Sequence, residues 1–195
     1  MSGILGKKLG MTRLLQDDGR VIPITVIQCE PNEIAQVKTT EKDGYPAIVL
    51  GFSKLKKPTK TKKFYHVKEF KIAETEAANY KKGDQVTVEA LKDVKTVRVT
   101  SISKGKGFQG VVRKFHFAGG DAAHGSHAHR EPGSIGCRAK PGRVQRGKKM
   151  PGRMGGEQVT LRDVPIVLLE TAKNLICLKG PVPGPNGSLV IIRKQ

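Results

Sequence analysis

Three groups of residues in this sequence could do chemistry, and each has a plainer alternative. Gly105-Lys106-Gly107-Phe108-Gln109-Gly110 spells G-x-G-x-x-G after an apolar, β-branched run. In that pattern glycines let the backbone approach a pyrophosphate closely. Val111-Val112-Arg113-Lys114-Phe115-His116-Phe117 then alternates as a strand does, where a nucleotide site needs a helix. The chain holds no Val-Ala-Ile-Lys, His-Arg-Asp or Asp-Phe-Gly, so a kinase reading finds none of its catalytic parts. Gly142-Arg143-Val144-Gln145-Arg146-Gly147-Lys148-Lys149 approaches a phosphate-binding loop. Lys149, however, stands where a Ser or Thr should bind magnesium, and no strand precedes it. His124, His127, His129 and Cys137 are zinc-ligand types, but their spacing fits no common finger, and Arg130 and Arg138 beside them repel a cation. Hydrogen bonds from neutral imidazoles to RNA, or stacking on its bases, account for the histidines with less strain. No enzyme activity, metal, cofactor or small-molecule substrate is expected.

What these groups share is cationic side chains set among glycines. The chain has 36 Lys+Arg against 17 Asp+Glu, net +19, and the excess is not evenly spread. Residues 1–100 carry 19 basic and 12 acidic side chains (net +7), and residues 157–195 carry 5 and 3 (net +2). Residues 101–156 carry 12 and 2 (net +10), with 13 of the 23 glycines and 4 of the 5 histidines. From Gly119 to Gly156 the only Ile, Leu, Val, Met or Phe are Ile135, Val144, Met150 and Met154. Such a segment buries too little apolar area to offset its ordering entropy alone, and a long basic insertion of this kind points to ordering on a polyanion. Arginine binds phosphate bidentately and stacks on bases. The segment has no helical period, so a recognition helix in a DNA groove is not expected. A thin glycine-rich strand suits folded RNA, read through phosphates, 2′-hydroxyls and shape. A second basic run, Lys54, Lys56, Lys57, Lys60, Lys62 and Lys63 broken by Pro58, reads as a smaller exposed loop, either a solvated face or an RNA contact.

The elements that must position these residues are short strands. Val21–Cys29, Ile34–Thr39, Ala47–Phe52, Val86–Leu91, Val97–Ile102, Val159–Leu161, Val164–Leu169, Leu175–Leu178 and Leu189–Ile192 are apolar and β-branched. Asp18-Gly19, Asp43-Gly44, Lys173-Asn174 and Asn186-Gly187 supply turns between them, the pattern of an antiparallel barrel or sandwich. One short helix is expected around Glu74–Tyr80. The predicted organisation is a β domain of residues 1–100 plus 157–195, an extended arm of residues 101–156, and a smaller basic loop region at 53–83. With 23 Gly and 11 Pro, a helical bundle is excluded. No apolar run approaches the roughly 20 residues of a membrane-spanning helix, and the N-terminal residues carry no uninterrupted apolar stretch of the signal-peptide kind. Three widely separated cysteines argue for a reducing, cytoplasmic setting rather than a disulfide scaffold. Cys29 and Cys177, in apolar runs, are expected in the core, and Cys137 facing solvent or ligand.

Several blocks carry more than composition. Gly3-Ile4-Leu5-Gly6-Lys7-Lys8-Leu9-Gly10-Met11-Thr12, Lys104-Gly105-Lys106-Gly107-Phe108-Gln109-Gly110-Val111-Val112 and Pro132-Gly133-Ser134-Ile135-Gly136 are three of them. Pro141-Gly142-Arg143-Val144, Gly147-Lys148-Lys149-Met150-Pro151-Gly152-Arg153-Met154-Gly155 and Lys179-Gly180-Pro181-Val182-Pro183-Gly184 are three more. In this order, from end to end, the chain resembles the bacterial-type family of large ribosomal subunit protein three. The resemblance implies a mostly β fold: a six-stranded, translation-protein-like antiparallel barrel with a long basic, Gly-rich, non-globular internal extension and little helix. It implies a structural constituent of the large subunit that binds 23S rRNA near its 3′ domain, helps nucleate assembly, and sends the extension toward the peptidyl-transferase centre. The rRNA-binding residues expected on this basis are Lys104, Lys106, Arg113, Lys114, His124, His127, His129, Arg130, Arg138, Lys140, Arg143, Arg146, Lys148, Lys149 and Arg153. Pro132, Gly133, Ser134, Ile135, Gly136 and Cys137 would form the tip nearest that centre. Large-subunit proteins fourteen and nineteen are the implied protein neighbours, with no membrane partner. Some members carry a methylated glutamine directly after Pro-Gly-Ser-Ile-Gly; this chain has Cys137 there, which offers that modification no acceptor.

Overall fold

The computed structural model describes residues 3–60, 62–77 and 79–194. In chain order the elements are β1 (Gly3–Leu15), β2 (Val21–Gln28), β3 (Asn32–Lys38), α1 (Thr40–Asp43), β4 (Ala47–Lys54), β5 (Phe64–Lys71), α2 (Glu74–Ala77) and β6 (Gln85–Val86). A 3-10 turn at Val88–Leu91 is followed by β7 (Thr96–Ile102), β8 (Phe108–Gln109), α3 (Val111–Phe115), β9 (Gly152–Arg153), β10 (Gln158–Glu170), β11 (Leu175–Lys179) and β12 (Leu189–Lys194). The chain divides into two compact units, Met1–Ser103 with Gln158–Gln195, and Lys104–Glu157.

The first unit is built on a closed barrel in the order β1-β12-β7-β10-β11-β2, with every neighbouring pair antiparallel. This is the six-stranded antiparallel barrel that the family resemblance implies, and it settles the choice between barrel and sandwich that the strand pattern leaves open. A second antiparallel sheet, β5-β4-β3-β6, belongs to the same unit. Successive residues of a strand face opposite ways, and in β1 both faces are buried. Ile4 joins Ile27, Val97, Val99, Ile176, Leu178, Val190 and Ile192 in the barrel core. Its neighbour Leu5 joins Ile34, Ile48, Leu50, Phe52, Phe70 and Val86 in a second core. β12 divides likewise, with Val190 and Ile192 in the barrel core and Leu189 and Ile191 packed against the second cluster. The β1–β12 wall is therefore shared by two apolar cores, and each fully buried Leu or Ile on it contributes about 1.5–3 kcal/mol.

Close packing at this wall explains its glycines. A Cβ on Gly3 would lie 2.6 Å from the Phe70 ring, and one on Gly6 would lie 2.6 Å from both Cys29 Sγ and Ile27 Cγ2. Lys8 is buried, its ammonium donating to the Val182 carbonyl at 2.7 Å and the Gly184 carbonyl at 3.0 Å, which ties β1 to the turn before β12. Cys29 and Cys177 are buried as expected, and burial pushes both thiols up, away from the reactive thiolate.

The structure also adds to and corrects the strand reading. β1 and β5 were not expected as strands. In β1, glycines at 3, 6 and 10 and burial on both faces erase the two-residue alternation. In β5, lysines and a histidine fill exposed positions. The 53–83 stretch therefore holds a strand and a short helix as well as loop. Of Val86–Leu91, expected as a strand, only Val86 is in one, as the last residue of the two-residue β6, and Val88–Leu91 form the 3-10 turn. Asp43-Gly44 ends α1 rather than a hairpin, with Gly44 in the left-handed conformation at φ 80°. Among the described residues no helix is long and apolar enough to cross a membrane.

The packing predicts that Gly6→Ala destabilises the fold by about 1–3 kcal/mol through overpacking. Thermal unfolding of the two proteins measures this as a lowered midpoint; an unchanged midpoint would show that Cys29 and Ile27 yield freely.

Candidate nucleic-acid interface

β7 and β10 pair antiparallel up to Ile102 opposite Gln158, so the second unit is a long excursion between two paired strands. Inside it, Lys106 N–H donates to the Met154 carbonyl and Met154 N–H to the Gly107 carbonyl, both at 2.9 Å. β8 and β9 continue this pairing, with Phe108 opposite Arg153 and Gln109 opposite Gly152. Gly155 is confined by the same turn, since a Cβ there would stand 2.1 Å from the Lys104 carbonyl oxygen.

Val111–Phe117, expected as a strand, begins instead with the five-residue helix α3. Lys114 N–H donates to the Gly110 carbonyl at 3.0 Å, and His116 ends the helix in the left-handed region at φ 59°. Alternation over seven residues misled because α3 is only about a turn and a half long, and β-branched Val111 and Val112 open it. The helix does not restore a dinucleotide site: such a site belongs to a parallel sheet, whereas β7 is antiparallel to both its neighbours.

Val111 is the only buried residue in the 104–157 unit, and every residue from 127 to 151 is exposed. Local order comes from the backbone instead. Gly120 N–H donates to the Ala128 carbonyl at 3.1 Å, and His129 Nδ1 lies 2.8 Å from the Asp121 carbonyl. A carbonyl only accepts, so that nitrogen carries the hydrogen of this bond. Gly119 and Gly120 permit this crossing, because Cβ atoms there would lie 2.4 Å from the His129 oxygen and 2.7 Å from the Ala128 oxygen.

Of the expected cations, Lys104, Lys106, Arg113, Arg130, Arg138, Lys140, Arg143, Arg146, Lys148, Lys149 and Arg153 are exposed, and Lys114 is half-buried. Arg130, Arg138, Lys140, Arg143, Arg146 and Lys148 make no ion pair among the described residues. Lys114 and Lys149 converge on Phe115, their ammonium groups 5.1 and 5.9 Å from the ring centroid. Ile135, Gly136, Cys137, Arg138, Arg143 and Val144 line an open concavity of about 420 Å³. His124, His127, His129 and Cys137 are all exposed, and no three metal-ligating side chains converge among the described residues.

Two features escaped the sequence reading. Phe108, paired in register with Arg153, is 76 % exposed and presents a flat apolar face to solvent. Gly105 and Gly110 have ordinary backbone angles and nothing within 4 Å of a built Cβ. Unlike Gly3 and Gly6, they are not required by the chain's own packing. A glycine that its own fold does not demand fits a backbone approached closely by something else. An aromatic isolated among glycines and lysines, as Phe108 is, gives no periodic signal in the sequence.

Exposed, unpaired guanidinium and ammonium groups on a backbone-ordered scaffold can neutralise phosphates at many points and offer aromatic faces to bases. They assemble no nucleophile, base or metal centre. Comparison with known proteins gives the family. The family model described as Ribosomal protein L3 matches residues 33–174. The chain is 44 % identical over 203 residues to large ribosomal subunit protein uL3 of Borrelia hermsii, covering 100 % of this chain and 97 % of that one. It is 46 % identical to the uL3 of Desulfotalea psychrophila, covering 98 % of each, and 40 % identical to that of Dehalococcoides mccartyi, covering 100 % and 98 %. With the barrel, the cationic unit and relatives matched over nearly their whole length, the chain belongs to the ribosomal protein L3 family.

Proposed function

We propose that the 104–157 unit binds large-subunit rRNA as a multipoint phosphate clamp, while the barrel unit fixes its point of attachment. As a member of its family the chain is a structural constituent of the large ribosomal subunit and not an enzyme. It acts in translation, in the cytoplasm of a bacterial cell. The observation that carries the clamp reading is the series of exposed, unpaired cations from Arg130 to Lys148, on a unit with one buried residue. A folded domain gains nothing from that much uncompensated charge; a polyanion does, because each neutralised phosphate releases condensed counterions.

The RNA bound is the 3′ domain of 23S rRNA, and its packing there nucleates assembly. The Pro132–Cys137 segment is the tip directed toward the peptidyl-transferase centre. Lys104–Lys114 and Arg143–Arg153 form the two sides leading to it, and proteins fourteen and nineteen of the subunit are neighbours. Support for this finer reading is the match of sequence blocks and the concavity formed by Ile135–Val144.

If about 8 of these cations each displace a counterion, log affinity falls with log salt at a slope of about −6 to −7. Salt-titrated binding of the full-length chain and of a Lys104–Gly155 deletion to 3′-domain fragments measures it, with the deletion expected to flatten the slope. Equal slopes, or equal binding to duplex DNA, would remove the clamp. Arg138→Glu and Arg143→Glu each replace an attraction by a repulsion and should reduce incorporation into large subunits in cells; normal incorporation of both would overturn their assignment. Gly105→Ala should weaken RNA binding several-fold while leaving the melting midpoint unchanged, the reverse of the effect at Gly6.

A further inference from the structure

The barrel unit carries a second cationic feature, remote in sequence from the 104–157 excursion. The β4–β5 connection and the turn before β6 bring Lys60, Lys62, Lys63 and Lys82 around one groove of about 300 Å³, on an apolar floor of Phe64 and Val67. The groove is built rather than incidental. The Phe64 ring lies against Gly51, where a Cβ would stand 2.4 Å from it, and Val49 adds to the floor. Both rims are pinned by backbone hydrogen bonds. Leu55 N–H donates to the Lys63 carbonyl at 2.9 Å, and Thr59 N–H to the Lys62 carbonyl at 3.0 Å. Lys62 N–H returns a bond to Thr59 Oγ1 at 3.0 Å. Across the groove, Gly83 N–H donates to the Ile34 carbonyl at 2.9 Å and Ile34 N–H to the Asp84 carbonyl at 2.8 Å, holding the Lys82 turn against β3.

The one carboxylate lining the groove, Glu33, is engaged by Lys54 at 2.7 Å. Among the described residues no carboxylate pairs with Lys60, Lys62, Lys63 or Lys82. Four like charges held around one concavity repel one another unless an anion lies between them. A solvated lysine run needs neither a shared concavity nor pinned backbones on both sides.

We infer that this groove is a second RNA-binding surface, which grips the phosphate backbone of an RNA segment separately from the 104–157 unit. The inference rests on the RNA-binding reading above. The occupant is RNA rather than an acidic protein segment, because four lysines line the groove against one carboxylate that Lys54 already engages, and the floor offers only a small apolar patch. That is enough to cover a sugar edge and too little for the apolar core of a protein interface. The barrel unit thus supplies affinity of its own, and two linked sites on one RNA bind more tightly than either alone.

The test uses the full-length chain and a 3′-domain rRNA fragment. Simultaneous Lys60, Lys62, Lys63 and Lys82→Gln should make the salt slope shallower by about 3. It should also weaken binding at moderate salt by at least tenfold, with an unchanged melting midpoint. A control with Lys42, Lys92, Lys95 and Lys179→Gln removes the same charge elsewhere on the unit and should change the slope by less than one. If groove and control variants behave alike, or if a poly-glutamate peptide protects the groove lysines from amine modification and the rRNA fragment does not, the inference is overturned. Absence of any steep salt dependence in the unaltered chain would instead remove the RNA reading itself, so the two failures are distinguishable.

Discussion

The fold depends on one wall having two buried faces. β1 and β12 close the barrel, and their outward residues Leu5, Leu189 and Ile191 belong to the core beneath the four-stranded sheet. Adjacent residues Ile4 and Leu5 are thereby both removed from water. A one-residue slip of β1 would exchange the contents of the two cores, so register is fixed from both sides at once. Gly3 and Gly6 follow from that constraint, because neither face leaves room for a Cβ. So does the buried Lys8, which supplies polar partners where the wall meets the Pro181–Pro185 turn.

A barrel fixed in this way can hold a long excursion at little cost. The loop-closure penalty grows only logarithmically, about 0.6 kcal/mol for each doubling of length, and β7 and β10 already clamp both ends of the 104–157 unit. That unit can then be composed for its partner rather than for itself. Its short pairings, β8 with β9 and the Gly120–Ala128 crossing, set local shape without an apolar core. Its charge is left uncompensated. Glycine serves opposite purposes at different positions: at Gly3 and Gly6 it marks where the protein's own atoms crowd in, and at Gly105 and Gly110 it marks open space beside the chain.

The amino-acid sequence reveals the barrel strands wherever apolar residues alternate or run together, as at Val21–Gln28 and Val97–Ile102. It hides them where the physics is two-sided or local. β1 loses its alternation because both faces are buried, and β5 because lysines and His66 occupy its exposed positions. α3 is too short for a helical period, and two valines at its start mimic a strand. For the interface, charge and glycine content locate the segment and name the cations, since exposure is what a charged residue without a carboxylate partner must have. They do not reveal that Phe108 stands in solvent opposite Arg153, or that Lys114 and Lys149 meet over Phe115. Those depend on pairings between residues some 35 to 45 positions apart. The groove of Lys60, Lys62, Lys63 and Lys82 is hidden for the same reason, because Lys82 reaches it only through the turn bonded to β3.

On the proposed reading, uncompensated charge rather than an apolar core leaves the 104–157 unit to be completed by RNA. Amide hydrogen exchange of the full-length chain, free and bound to a 3′-domain rRNA fragment, tests it most directly. Fast exchange is expected across residues 119–151 in the free chain and strong protection there on binding, while the barrel amides of β1, β7 and β12 are slow in both states. Equal exchange in that segment with and without RNA would contradict it, as would protection confined to the barrel.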